Sequence, residues 1–275
     1  MNNQKIAFIG GGNMASSLVS GLITSGHAPQ HIWVSDINAD ALAVLSSTLH
    51  VNTTANNDDA ISEADVVVLA VKPQVLAAVA QQAAALIQQK QPLVVSIAAG
   101  ISQASLSGWL GADTAIVRCM PNTPALVLTG ATALHANAKV SPAQRDLAEN
   151  IMRAVGIALW VTQESELDAV TAVSGSGPAY FFLLMEAMEN TALSMGLDAE
   201  TARLLVQQTA LGAAKIALES AESPEQLRQR VTSPGGTTQR AIETFIQGGF
   251  TELVAKALGA ARNRSIEMSH PTENR

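Results

Sequence analysis

"KIAFIGGGNMASSLVSGL", Lys5 to Leu22, reads as a buried strand, a glycine turn and an amphipathic helix in immediate succession. Its small residues fit the spacing G-x-G-x-x-A at Gly10, Gly12 and Ala15. In such a turn the first glycine permits a tight bend and the second lets the backbone approach a pyrophosphate. The small third residue allows close helix–strand packing. The amides of Asn13 and Met14, at the helix N-terminus, then point at the phosphates. A glycine triplet alone is a weak pattern. Here a strand precedes it, a helix follows, and Asp36 ends the next β-branched run at the distance of a ribose-reading acid. Together these favour a dinucleotide site over a plain strand–helix turn.

The same alternation continues to about Val161. "HIWVSD", "DVVVLAV", "PLVVSIA", "TAIVRCM" and "IALWV" read as further strands, "GATALHAN" adds one more, and Asn13–Ser25 and Ala39–Leu49 are among the helices between them. Strand–helix repetition implies a mostly parallel, doubly wound α/β sheet with helices on both faces. After Thr162 the strands stop. Pro178–Met195, Asp198–Ser220, Pro224–Val231, Thr237–Gly248 and Thr251–Met268 all read as helices, with Asp198 and Ser223 as N-caps and Gly196 and Gly248 as stops. Residues 1-162 are therefore expected to form a dinucleotide-binding domain and residues 163-275 an all-α domain, with "SHPTENR" as a disordered tail.

Composition narrows the function classes. A net charge of -7 argues against nucleic acid or an anionic membrane as the main partner. One cysteine, Cys119, excludes an internal disulfide, suits a reducing compartment, and reads as a packing residue. The longest apolar run, "VVVLAV", is too short to span a bilayer, and the first residues lack the pattern of a secretory signal. A soluble, cytoplasmic protein is expected. The histidines, His27, His31, His50, His135 and His270, show no metal-ligand spacing, so no metal is expected.

Three later strand ends carry unusual residues. "AVKPQ" places Ala70, Val71, Lys72 and Pro73 beyond one strand. "SIAAG" places Ala98, Ala99 and Gly100 beyond another, and "VRCMPNTPA" places Met120, Pro121 and Asn122 beyond a third. In an open parallel sheet, ligands bind beyond the carboxyl ends of the strands, and small residues there let a flat ring lie close to the backbone. Lys72 is either a ribose donor or a solvated loop lysine.

Two stretches of the helical half remain. "VSGSGPAYFF" contains Ser176, read as a cap of the helix starting at Pro178 that also lines a site. "SPGGTTQ" interrupts a helical region with Ser233, Pro234, Gly235, Gly236, Thr237 and Thr238. It is either a helix capped by Ser233 or a cup of backbone N–H groups around Gly235 and Gly236 that binds a carboxylate, with Ser233 or Thr237 adding hydroxyl donors.

"FIGGGNM", "LAVKP", "VVSIAAG", "RCMPNTPA", "AVSGSGPAY" and "SPGGTT", in this order and spanning nearly the whole chain, strongly resemble the pyrroline-5-carboxylate reductase family. The resemblance implies an N-terminal Rossmann domain and a C-terminal helical dimerisation domain. It also implies reduction of 1-pyrroline-5-carboxylate to L-proline by NADPH or NADH, the last step of proline synthesis. Homodimers with active sites drawn from both chains are implied, and in several members decamers of five dimers. By the same resemblance Thr238 hydrogen-bonds the ring nitrogen, Glu164 lies near the substrate, and Asn57 is a further ribose contact. Many relatives carry Ser or Thr where this chain has Asp36. A carboxylate there accepts from both ribose hydroxyls and repels a 2′-phosphate, and Ile37–Leu45 contains no Arg or Lys, so the residues lean to NADH. The alternative is that Asp36 only caps the next helix. β-Hydroxyacid dehydrogenases would need G-x-x-x-N-x-x-K, which neither Lys215 nor Lys256 provides. A non-catalytic dinucleotide sensor would have no need of "SPGGTT".

Overall fold

Short Val- and Ile-rich runs bounded by Gly, Asp and Pro become the strands of the computed structural model, which describes residues Asn3–Ser269. β1 (Ile6–Ile9) runs into the glycine turn, and α1 (Asn13–Thr24) leaves it. β2 (Ile32–Ser35), α2 (Ala39–Leu49), β3 (Asn52–Thr54) and α3 (Asn57–Ser62) follow. The unit repeats as β4 (Val66–Leu69), α4 (Pro73–Lys90), β5 (Leu93–Ser96), α5 (Gln103–Leu110) and β6 (Ile116–Met120). β7 (Gly130–Ala136), α6 (Pro142–Arg153) and β8 (Gly156–Trp160) complete the sheet.

The eight strands lie in the order β3-β2-β1-β4-β5-β6-β7-β8, and only β7 runs antiparallel to its neighbour β6. The chain leaves β1 toward β2 and β3, then returns to pair β4 on the other side of β1. That reversal opens a crevice beyond the carboxyl ends of β1 and β4, the place where doubly wound sheets bind ligands. Side chains alternate across the pleat. Ile6 and Phe8 pack with Leu18 and Leu22 of α1, Leu45 of α2 and Ile151 of α6 in one buried cluster. Ala7 and Ile9 pack with Ile61 of α3, Leu76 of α4 and Leu106 of α5 in another. The doubly wound α/β reading holds, with β3 as an added edge strand.

After β8 come α7 (Glu166–Val170), a π-helical turn (Thr171–Gly175), α8 (Gly177–Ser194), α9 (Ala199–Glu219), α10 (Pro224–Arg230), α11 (Thr237–Gln247) and α12 (Phe250–Ser269). Asp198 and Ser223 do cap, accepting from the Thr201 and Gln226 amides. The chain divides into two compact units. One holds the residues up to Ser176 and those from Ala261 onward, and the other is Gly177–Ala260. Within the first, Ser265 Oγ of α12 donates to Asp168 Oδ1 of α7 at 2.7 Å. The second has almost no interior: of its apolar side chains only Ala202 and Val206 are buried, while Phe181, Phe182, Leu183 and Leu211 are each more than 60% exposed. An apolar groove of about 530 Å³ runs between α9 and α10, lined in part by Ile216, Leu227 and Val231. No helix of the described residues is long and apolar enough to cross a membrane. The expected tail falls, but for Ser269, on residues outside those described.

Candidate functional site

The glycine turn is built for close approach. Gly10 has φ +105°, and a Cβ there would lie 2.9 Å from the Ala70 carbonyl carbon, so the turn sits directly against the peptide that follows β4. This brings Gly10 together with Ala70 and Val71. A Cβ on Gly12 would meet nothing within 4 Å, which leaves open space beside the backbone at the start of α1. The first amides of α1, including those of Asn13 and Met14, have no intrahelical acceptor. Ala15 is fully buried under the sheet. These features fit a pyrophosphate group.

Asp36, just beyond β2, is held at both oxygens. The Gly11 amide donates to Oδ2 at 2.6 Å and the Asn38 amide to Oδ1 at 2.8 Å. Asp36 is not the cap of α2. That role falls to Asn38, whose side chain accepts from the Asp40 and Ala41 amides. Beside it, Ser35 Oγ donates to Asn57 Oδ1 at 2.6 Å, so the amide NH₂ of Asn57 is the end left for a ligand. Sequence reasoning missed Ser35, and a buried serine closing an apolar strand was the available signal.

Along the other strand ends, Lys72 precedes α4 with extended backbone and an exposed side chain, and Pro73 takes the first helical position. Ala98 and Gly100 are buried and Ala99 half-buried. Gly100 is overlaid by Met268, since a Cβ on Gly100 would lie 2.9 Å from the Met268 Cβ. Met120 ends β6 half-buried, and Pro121 and Asn122 are buried behind it. Cys119 is buried among apolar side chains, which pushes its thiol well above the usual range and suits a packing role. Among the described residues, no three His, Cys, Asp or Glu side chains are grouped to hold a metal ion.

Of the residues expected beside the substrate, Ser176 departs from its expected capping role. Ser176 does not cap α8. Its backbone is helical (φ −87°, ψ −18°) and its amide donates to the Thr171 carbonyl at 2.8 Å, so it closes the π-helical turn, and α8 starts one residue on, at Gly177. Glu164 is half-buried and paired. Its Oε1 accepts from the Arg118 guanidinium and from the Gln103 amide, the latter at 2.6 Å. Arg118, missed from the sequence, was detectable as a charged residue inside the strand run "TAIVRCM", where burial demands a partner.

In the second unit, "SPGGTTQ" is a turn followed by the start of α11. Gly235 has φ +71°, and Gly236 is the N-cap residue, with extended backbone and no side-chain cap. The helix therefore begins at Thr237, three residues later than a Ser233 cap would place it. The cup differs from the expectation in one respect. The Gly235 amide donates to Gln239 Oε1 at 2.6 Å, and the Gly236 amide to the Ser233 carbonyl at 3.0 Å. The helix's first amides, of Thr237 and Thr238, are the ones without an intrahelical acceptor. Ser233, Thr237 and Thr238 are exposed beside them. Gln239 thus shapes the turn, a role the quoted motif did not reveal.

Residues 5–100 match the family described as NADP oxidoreductase coenzyme F420-dependent, and residues 164–268 match pyrroline-5-carboxylate reductase dimerisation. The chain is 52% identical to a pyrroline-5-carboxylate reductase of Pseudomonas aeruginosa over 98% of each chain. Its structure superposes with TM-score 0.93 on the pyrroline-5-carboxylate reductase of Coxiella burnetii, at 48% identity and covering 98% of this chain and 99% of that one. It superposes with TM-score 0.88 on the Plasmodium falciparum pyrroline carboxylate reductase with NADP bound, at 28% identity and covering 98% and 99%. Likeness of this extent, along the whole chain, makes it a member of the pyrroline-5-carboxylate reductase family.

Proposed function

We propose that this chain reduces 1-pyrroline-5-carboxylate to L-proline as an NAD(P)H-dependent enzyme, the last step of proline biosynthesis. The observation that carries the reading is likeness along the whole chain to reductases of that name, including the one from Pseudomonas aeruginosa. The open glycine turn at Gly10–Met14 and the uncapped helix start at Ser233–Thr238 support it. The reduced nicotinamide supplies the hydride. The protein's part is binding and orientation, because a protonated cyclic imine is already electrophilic.

Gly10, Gly12, Asn13 and Met14 hold the pyrophosphate, and Asp36 and Asn57 the adenosine ribose. Ala70, Val71, Lys72 and Pro73, then Ala98, Ala99 and Gly100, and then Met120, Pro121 and Asn122 flank the nicotinamide half. The amides of Thr237 and Thr238, with the hydroxyls of Ser233 and Thr237, receive the substrate carboxylate on the turn formed by Gly235 and Gly236. The Thr238 hydroxyl faces the ring nitrogen. Ser176 and Glu164 belong to the substrate side, with Glu164 held by Arg118. The fixed carboxylate of Asp36 favours NADH over NADPH.

Residues 1-162 serve the dinucleotide and residues 163-275 substrate binding and dimerisation, the latter supported by the match of residues 164–268. The working unit is a homodimer, with a decamer of five dimers as the larger assembly. A cytoplasmic location fits the single buried cysteine. The test is oxidation of NADH or NADPH by the purified chain in the presence of 1-pyrroline-5-carboxylate, followed at 340 nm, with L-proline identified as product. Dinucleotide binding without turnover would leave a sensor and sink the enzyme reading.

A further inference from the structure

The side chain of Asn122 spans two elements. Its Oδ1 accepts from the Ala131 amide of β7 at 2.9 Å, and its Nδ2 donates to the Ser174 carbonyl at 3.0 Å. Ser174 belongs to the π-helical turn Thr171–Gly175. In an α-helix its carbonyl would receive the amide four residues on, but that residue is Pro178, which has no N–H. Asn122 supplies the missing donor. The turn is also seated on the neighbouring residue, since a Cβ on Gly175 would lie 2.5 Å from Met120 Cε. Asn122 is only 8% exposed, so leaving these groups unpaired would be costly.

Met120 and Asn122 lie at the strand end assigned above to the nicotinamide, and the turn leads into Ser176 on the substrate side. We infer that Asn122 is a positioning residue, clamping the π-helical turn Thr171–Gly175 to the end of β6 so that hydride donor and acceptor meet at reactive distance. The inference rests on the reductase reading. π-Turns inside helices are often found at functional sites, and here the irregular turn is the feature that frees Ser174 to be held from outside its own helix. Misplacing reacting atoms by about 1 Å can cost about 10²-fold in rate.

Asn122→Asp keeps the acceptor for Ala131 and turns the donor into a carboxylate facing the Ser174 carbonyl. In the full-length protein, kcat should fall about tenfold or more, well beyond any change in the dinucleotide Kd from fluorescence titration. The primary isotope effect on kcat with 4-deuterated dinucleotide should rise as hydride transfer becomes limiting, a change that a purely structural role would not produce. Gly175→Ala, which unseats the same turn from Met120, should give the same pattern, and adding Met120→Ala should restore much of kcat. This pair decides the matter if Asn122→Asp does not fold. A parent-like kcat in both single variants overturns the inference. So does a loss confined to dinucleotide affinity, which would leave Asn122 with its cofactor contact alone. A parent that does not turn over 1-pyrroline-5-carboxylate overturns the reductase reading itself, and the inference with it.

Discussion

The guanidinium of Arg118 donates to Oε1 of Glu164, the same oxygen that accepts the Gln103 amide. One carboxylate thereby joins the middle of β6, the start of α5 and the loop after β8. The side chains are 11% and 30% exposed, so the pair is largely withdrawn from water. Removing one member of a buried pair leaves the other charge uncompensated, which costs about 3–5 kcal/mol. Because Glu164 keeps some solvent, Arg118→Ala should cost about 3 kcal/mol, at the low end of that range. Urea unfolding at matched protein concentration measures it, and a loss under about 1 kcal/mol would mean the pair is a surface-like contact.

Much of this fold could be read from local chemistry. α2 runs over Ala39–Leu49 as expected because Asn38 supplies a strong cap and His50 a left-handed stop. β3 escaped notice because its three residues, Asn52–Thr54, are half-buried and polar, so no alternation marks them. The π-turn escaped because Gly175, Gly177 and Pro178 resemble a helix start. The carbonyl that Pro178 leaves unpaired is answered by Asn122, 52 residues earlier in the chain. The Arg118–Glu164 pair is likewise invisible to any local window, although a buried arginine announced that some acid must come to it. The glycine turn itself was legible because one short segment, residues 5–22, carries strand, turn and helix together. The turn before α11 was legible in its glycines but not in its hydrogen bonds, since Gln239 takes the Gly235 amide.

Thr238 is exposed in the first turn of α11, so its loss should leave the fold intact. Thr238→Ala should bind dinucleotide like the parent and turn over about 10²-fold more slowly, as when one oriented hydrogen bond at the reacting centre is removed. Steady-state kinetics with a parallel dinucleotide titration give the answer. Unchanged kcat would remove Thr238 from the reacting centre.

The second unit predicts its own partner. With only Ala202 and Val206 buried among its apolar side chains, and Leu218 84% exposed, it lacks the interior that an independent helical bundle needs. A second copy offering the same faces would cover them symmetrically. Sedimentation should find a dimer or larger at low micromolar concentration, and the melting temperature should fall on dilution. A folded monomer with a concentration-independent melt would contradict this.

The preference between NADH and NADPH turns on Asp36. Its carboxylate is fixed by the Gly11 and Asn38 amides at 2.6 and 2.8 Å, so it cannot easily swing away from a ligand on the glycine turn. Two unit charges near 4 Å repel by about 1 kcal/mol in water and about 4 kcal/mol at an intermediate dielectric. Asp36 is half-buried, which argues for more than the first value, while two N–H donors on the carboxylate disperse part of its charge. A net penalty of about 1.4 kcal/mol on a 2′-phosphate follows, or about tenfold in kcat/KM favouring NADH. Residues 37–45 contain no Arg or Lys to offset it. Asp36→Ser removes the charge and keeps an acceptor for one of the two amides. The bias should then shrink or reverse, chiefly through a lower KM for NADPH, because the 2′-phosphate lies far from the reacting carbon and affects binding of ground and transition states alike. A parent that uses both cofactors equally or favours NADPH, with a serine variant that does the same, would show that the carboxylate braces the glycine turn and does not read the ribose.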